Sequence, residues 1–106
     1  ANNVAVDYYL AALLLERRLD LFAQEIDRFY SREVQQGKLP TYFAQALVLY
    51  QRSRTQPIVR YQDSGIEANF EDFSDMGDTI SNRTIRCNTL RNSYGETYWW
   101  WYTYGI

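Results

Sequence analysis

Histidine is absent from this 106-residue chain. That removes the commonest general base and the commonest metal ligand together, so neither a Ser-His-Asp nor a Cys-His arrangement can be assembled. Cysteine occurs once, as Cys87, which excludes an intrachain disulfide and a thiolate metal cluster. A lone cysteine inclines towards a reducing compartment but is compatible with export. Long apolar runs are missing: the longest, residues 10–15, is six residues, against the roughly 20 that a membrane span requires. Excess positive charge is missing too. With a net charge of −2 and a pI near 5.0, the chain lacks the basic face that phosphate-backbone binding needs, and nucleic acid is not an expected partner. No basic region followed by an apolar run and a small-residue cleavage site marks a signal peptide. The chain begins without Met and enters a helical pattern almost at once. It reads as one helical domain over residues 1–106, the C-terminal fragment of a longer protein.

What is present suits a folded domain. Hydrophobic residues make up 46% and charged residues 23%, enough for one core and too apolar for disorder. Aromatics reach 17%, with ten Tyr, five Phe and three Trp, an excess that demands a location.

Asn3 is a suitable N-cap for a helix over residues 4–16, whose apolar residues cover most of the circumference. Such a helix is expected to lie between neighbours. Leu19, Phe22, Ala23, Ile26, Phe29 and Tyr30 then recur at steps of three and four, marking a second, amphipathic helix that ends at Gly37. One continuous helix over residues 4–34 would be about 46 Å long, too long for this domain, so a tight turn belongs near residues 16–19. Pro40 opens a third helix, with Phe43, Ala46, Leu47 and Tyr50 on one face, and Pro57 breaks the chain after it. Residues 58–62 read as a connector that could be extended. Ser64-Gly65-Ile66-Glu67 matches a capping box and starts a fourth helix, which stops at Gly77. A fifth, over residues 82–94, should carry Ile85, Leu90 and Tyr94 inward and end at Gly95. Thr97 suits a fresh N-cap, so residues 97–106 are expected to form a short helix or turn.

Several clusters could carry chemistry. The acids Glu67, Glu71, Asp72, Asp75 and Asp78 have helical spacing rather than the loop spacing of a calcium site, and a solvated helix face accounts for them. Arg83, Arg86 and Arg91, with Arg52, Arg54 and Arg60, could grip phosphate, but no Gly-rich loop accompanies them. Pairing with the preceding acidic helix is the simpler expectation. Cys87 has no histidine to activate it and reads as a small, partly buried residue. No cofactor or metal is implied.

The candidate binding residues are Tyr98, Trp99, Trp100, Trp101 and Tyr102. Aromatic rings stack on sugars, fill a partner's apolar groove or sit at a membrane interface. They also close a domain's own core, which is the expectation favoured here. Consecutive Trp residues cannot all point one way, so part of the set should stay at the surface.

The pattern of residues 3–54 resembles tetratricopeptide-type helical hairpins. Tyr9, Ala12, Leu19, Ala23 and Tyr30 approximate the small/large packing alternation, and Gly37-Lys38-Leu39-Pro40 the inter-repeat turn. The run of residues 39–50 and the terminal Tyr94-Gly95-Glu96-Thr97-Tyr98-Trp99-Trp100 are similar to the C-terminal part of an uncharacterised family of Bacteroides membrane proteins. That resemblance implies a bacterial parent with transmembrane helices upstream, inclines the domain to the periplasmic side, and brings no catalytic residues.

The expectation is therefore an all-α domain of about five helices in antiparallel hairpins, tetratricopeptide-like, with an aromatic C-terminal tail. Its expected role is non-catalytic interaction or scaffolding, with a protein partner or another part of the same chain. The alternative is a small-ligand or glycan-binding module built on the terminal aromatics.

Overall fold

The computed structural model describes residues 3–106. Among them are seven helices and no strands: α1 (Val4–Leu15), α2 (Leu19–Phe29), α3 (Ser31–Gln36), α4 (Thr41–Arg52), α5 (Ser64–Asp78), α6 (Arg83–Tyr94) and α7 (Tyr98–Tyr104). The all-α expectation holds, but the count of five does not. The second expected helix breaks at Tyr30 into α2 and α3, and the aromatic tail forms a helix of its own.

Asn3 caps α1, its Oδ1 accepting from the N–H groups of Ala5 and Val6. The helix ends in a Schellman motif: Arg18 N–H donates to Leu13 O, and Arg17 N–H to Leu14 O. Glycine normally occupies the left-handed position of that motif; here it is Arg17, at φ 59°. The chain reverses there, and α2 runs back along α1. Tyr9 donates to Glu25, and Tyr30 donates to Asp7. Early α1 thus meets late α2, the signature of an antiparallel hairpin.

Gly37, at φ 69°, closes α3. A Cβ there would lie 2.3 Å from the backbone oxygen of Gln62, so this position needs glycine for both conformation and space. The chain then enters α4, the central helix, packed against α2, α5 and α7. Phe43, Ala44, Gln45, Ala46, Leu47, Val48 and Tyr50 are all buried. Phe22, Ile26, Phe43, Leu47 and Tyr50 share the main core, as their helical stripes require, with the rings of Phe22 and Phe43 5.9 Å apart.

The connector after α4 is irregular but pinned. The Gln51 side chain receives a hydrogen bond from Tyr61 N–H and donates one to Tyr61 O, replacing the strand partner the backbone lacks. The Tyr61 hydroxyl accepts from Leu39 N–H and donates to Asp63.

Three local expectations are corrected. The N-cap of α5 is Asp63, not Ser64: Asp63 Oδ1 accepts from Ile66 N–H while Glu67 Oε2 accepts from Asp63 N–H. The cap thus sits one residue earlier, where the Asp63 carboxylate takes Ile66 N–H and Glu67 N–H already closes the first helical bond to Asp63 O. The helix also runs one residue past Gly77. Ile85, expected inside, is 57% exposed, because α6 turns Leu90 and Tyr94 to the core instead.

The largest correction concerns α1. Its all-round apolarity predicted burial on every side, yet Val4, Tyr8 and Leu15 are exposed and only Leu10, Leu13 and Leu14 are fully buried. α2 is its main neighbour, Tyr98 of α7 reaches Leu14 O, and the outer side of α1 is left uncovered.

Candidate functional site

The five candidate residues all fall on α7. Its first turn is built by neighbours in sequence and in space. Thr97 Oγ1 accepts from Trp100 N–H and donates to Tyr94 O, while Tyr98 N–H, an orphan donor at the helix start, donates to Gln45 Oε1. Gln45 is a buried polar residue of α4, so its role as an acceptor for α7 explains its presence in the core.

Helical spacing then distributes the rings. Tyr98 points into the main core at 0% exposure and donates from its hydroxyl to Leu14 O at 2.7 Å. Its ring meets Tyr42 edge-on at 5.3 Å. Burial pushes the Tyr98 phenol well above its ordinary pKa, so the group is neutral. Trp99, also at 0%, enters a second cluster with Phe73, Leu90 and Tyr94, and lies edge-on to Phe70 at 5.3 Å. Its Nε1 finds no acceptor, a cost of about 1–3 kcal/mol set against the apolar burial. Trp100, Trp101 and Tyr102 are half-buried. Tyr98 and Trp99 are therefore walled off from any external ligand, and the accessible part of the set is Trp100, Trp101 and Tyr102.

Arginines clothe those rings. Arg17 lies 4.2 Å over Trp101 and donates to the carbonyls of Trp101, Tyr102 and Gly105. Arg91 lies over Trp100, and Trp100 Nε1 donates to Cys87 O. Arg83 lies over Tyr104 and donates to Thr103 O. Arg86 donates to the Tyr104 hydroxyl and to the carbonyls of Ile80 and Ser81. The expected pairing of α6 arginines with the acids of α5 is thus overturned. Glu67 and Glu71 take Arg52 instead, at 3.7 and 2.6 Å, and the α6 arginines turn to the ring faces and free carbonyls of α7. Cys87 is half-buried, as expected.

The chain matches the model of a family of unknown function, DUF6057, over residues 1–105. The chain belongs to that family. Neither a curated protein nor a solved structure matches it.

Beyond α7, no three histidine, cysteine, aspartate or glutamate side chains among the described residues converge as a metal ion would require. No helix among them is long and apolar enough to cross a membrane. What does stand open is α1. Val4, Asp7, Tyr8 and Ala11 line a groove of about 300 Å³ with Phe43 beside them. The acid in that groove is already engaged, because Asp7 accepts from Tyr30. The sequence concealed this surface, since an apolar helix reads as core whether or not a neighbour covers it.

Proposed function

We propose that this domain is a non-catalytic helical interaction or scaffolding module, and that the outer face of α1 is its contact surface. One observation carries the reading: Val4, Tyr8 and Leu15 stand exposed on one side of a helix beside an apolar groove. A contiguous apolar face of this kind marks a protein–protein surface. The terminal aromatics support the same reading from the other side. Two of the five are fully buried, and guanidinium groups occupy a face of Trp100 and of Trp101, where a sugar would have to stack.

The finer parts of the reading belong with it. The parent is a larger, membrane-tethered bacterial protein of Bacteroides or its relatives, with the domain on the periplasmic side; this rests on the resemblance of residues 39–50 and 94–100. The helix arrangement is tetratricopeptide-like, supported by the antiparallel α1–α2 hairpin and by the packing of α2 between α1 and α4.

Photo-crosslinking amino acids at positions 8, 15 and 102 in the parent protein test this. Adducts to protein from positions 8 and 15, lost on Leu15→Lys or Tyr8→Lys with the melting temperature retained, are expected. Adducts from position 102 alone would favour the alternative ligand-binding reading of the aromatic tail.

A further inference from the structure

The exposed face of α1 carries a regular apolar period. Val4, Tyr8, Ala11 and Leu15 are spaced by four, three and four residues, the seam of a two-stranded coiled coil over the helix's whole length. At 100° per residue they lie within about 60° of arc. Val4, Tyr8 and Leu15 are 70%, 74% and 60% exposed, and Ala11 is half-buried with Phe43 beside the groove, so most of this seam is uncovered within the domain.

We infer that the α1 seam pairs antiparallel with α1 of a second copy of this chain. The inference rests on the interaction-module reading and names its partner. In an antiparallel pair each position meets the one that sums with it to a constant, and a sum of 19 brings all four seam residues into register. Val4 then faces Leu15, and Tyr8 faces Ala11, at both ends of a two-fold axis. The sizes are complementary: the large ring of Tyr8 falls on the smallest residue of the seam. It does so at the end of the groove that Val4, Asp7, Tyr8, Ala11 and Phe43 already form.

Charge agrees with this register. Asp7, the one charge within α1, accepts a hydrogen bond from the Tyr30 hydroxyl. Glu16 of one copy comes beside Asn3 of the other, at the positive end of the partner helix, where a carboxylate is favoured. A parallel pair would instead stack Tyr8 on Tyr8 and align the two helix dipoles.

The seam is one stripe of four residues, smaller than the ~800 Å² per partner of a standard interface. The dimer is accordingly weak and reversible, with a dissociation constant on the order of 100 μM. Tethering to a membrane raises the effective concentration of neighbouring copies towards the millimolar range, so such a contact clusters the parent protein without holding it permanently.

Sedimentation equilibrium of the domain, residues 1–106, from about 10 μM to 1 mM tests the inference. The mass is expected to rise from 12.6 kDa towards twice that value. Leu15→Lys and, as a second variant, Tyr8→Lys should each weaken association at least tenfold with the melting temperature retained. In a Cys87→Ser background, mixing Val4→Cys chains with Leu15→Cys chains should give the mixed disulfide. A chain that stays at 12.6 kDa at 1 mM overturns the inference, as does a dimer indifferent to both lysines, or one that forms only 4–4 and 15–15 disulfides. If the chain is monomeric while crosslinkers at positions 8 and 15 still capture a different protein, the second copy is wrong and the interaction reading stands. If both fail, the α1 surface is not a contact.

Discussion

The guanidinium of Arg17 lies 4.2 Å above the ring of Trp101 and donates to Gly105 O at 2.8 Å. One side chain thereby joins the first turn of the chain to its last helix. Two positions that look unfavourable in isolation explain each other. Arg17 sits in a left-handed conformation that costs a non-glycine residue about 1 kcal/mol, and the carbonyls of Tyr102 and Gly105 at the end of α7 have no helical partner. Arg17 donates to both and shares Trp101 O with Gly105 N–H, while its flat face covers an indole.

The first prediction follows from that balance. Arg17→Gly removes the backbone strain yet should destabilise the domain by about 1 kcal/mol, and Arg17→Ala by about 2 kcal/mol, since alanine keeps the strain. Urea denaturation measures both. A glycine variant as stable as the parent would show that the α7 contacts contribute nothing.

The tail completes the core, so its removal should be severe. Deleting residues 97–106 uncovers Phe70, Phe73 and Gln45, which Trp99 and Tyr98 now cover. Aggregation or loss of cooperative unfolding is expected, with light scattering and calorimetry as readouts. Tyr98→Phe is the mild counterpart. It removes the hydroxyl donated to Leu14 O and should cost about 1 kcal/mol. A deleted chain that stays monomeric and melts like the parent would remove α7 from the core.

At α5, Asp63→Ala should cost about 1 kcal/mol through loss of the cap, and Ser64→Ala within about 0.5 kcal/mol of nothing. Thermal melts of the two variants decide the assignment; a larger effect from Ser64 would restore the serine cap.

Alkaline pH should unfold the domain through its buried phenols. Burial first, and then the neighbouring acids Asp7 and Glu33, push Tyr30 up to about 12; burial, opposed by a backbone hydrogen bond and aided by Asp63, does the same for Tyr61. A pKa raised in the folded state means that the unfolded chain loses its proton first. Stability is therefore intact below pH 10 and falls as pH rises from about 10 through about 12. Absorbance at the phenolate band, followed with circular dichroism, should show late-titrating tyrosines that ionise as helix is lost. Ionisation of all ten tyrosines near pH 10 with helix intact would contradict it.

Much of the fold was legible because helices announce themselves locally. Apolar steps of three and four placed α4 and α5 and the start of α2 to within a few residues, and the caps Asn3 and Thr97 are where side chains that accept from backbone N–H belong. The split at Tyr30 was not legible, since the apolar stripe runs through it. Of the candidate site, the chemistry of the rings was visible and their directions were not. Which of three consecutive tryptophans is buried depends on where α7 meets α4, α5 and α6.

The sequence by itself determined the all-α class, the turns at Gly37 and Pro40, and the exclusion of histidine- or disulfide-based chemistry. Each follows from residue type and short-range spacing. Only the tertiary structure decided that Arg17 serves α7, that Gln45 caps it, that the α6 arginines face rings rather than acids, and that α1 keeps an open apolar seam. Those outcomes depend on groups brought together from as far as 88 residues apart, or, for α1, on a neighbour that is not there. Periodicity reports that a helix face is apolar, but not what lies against it.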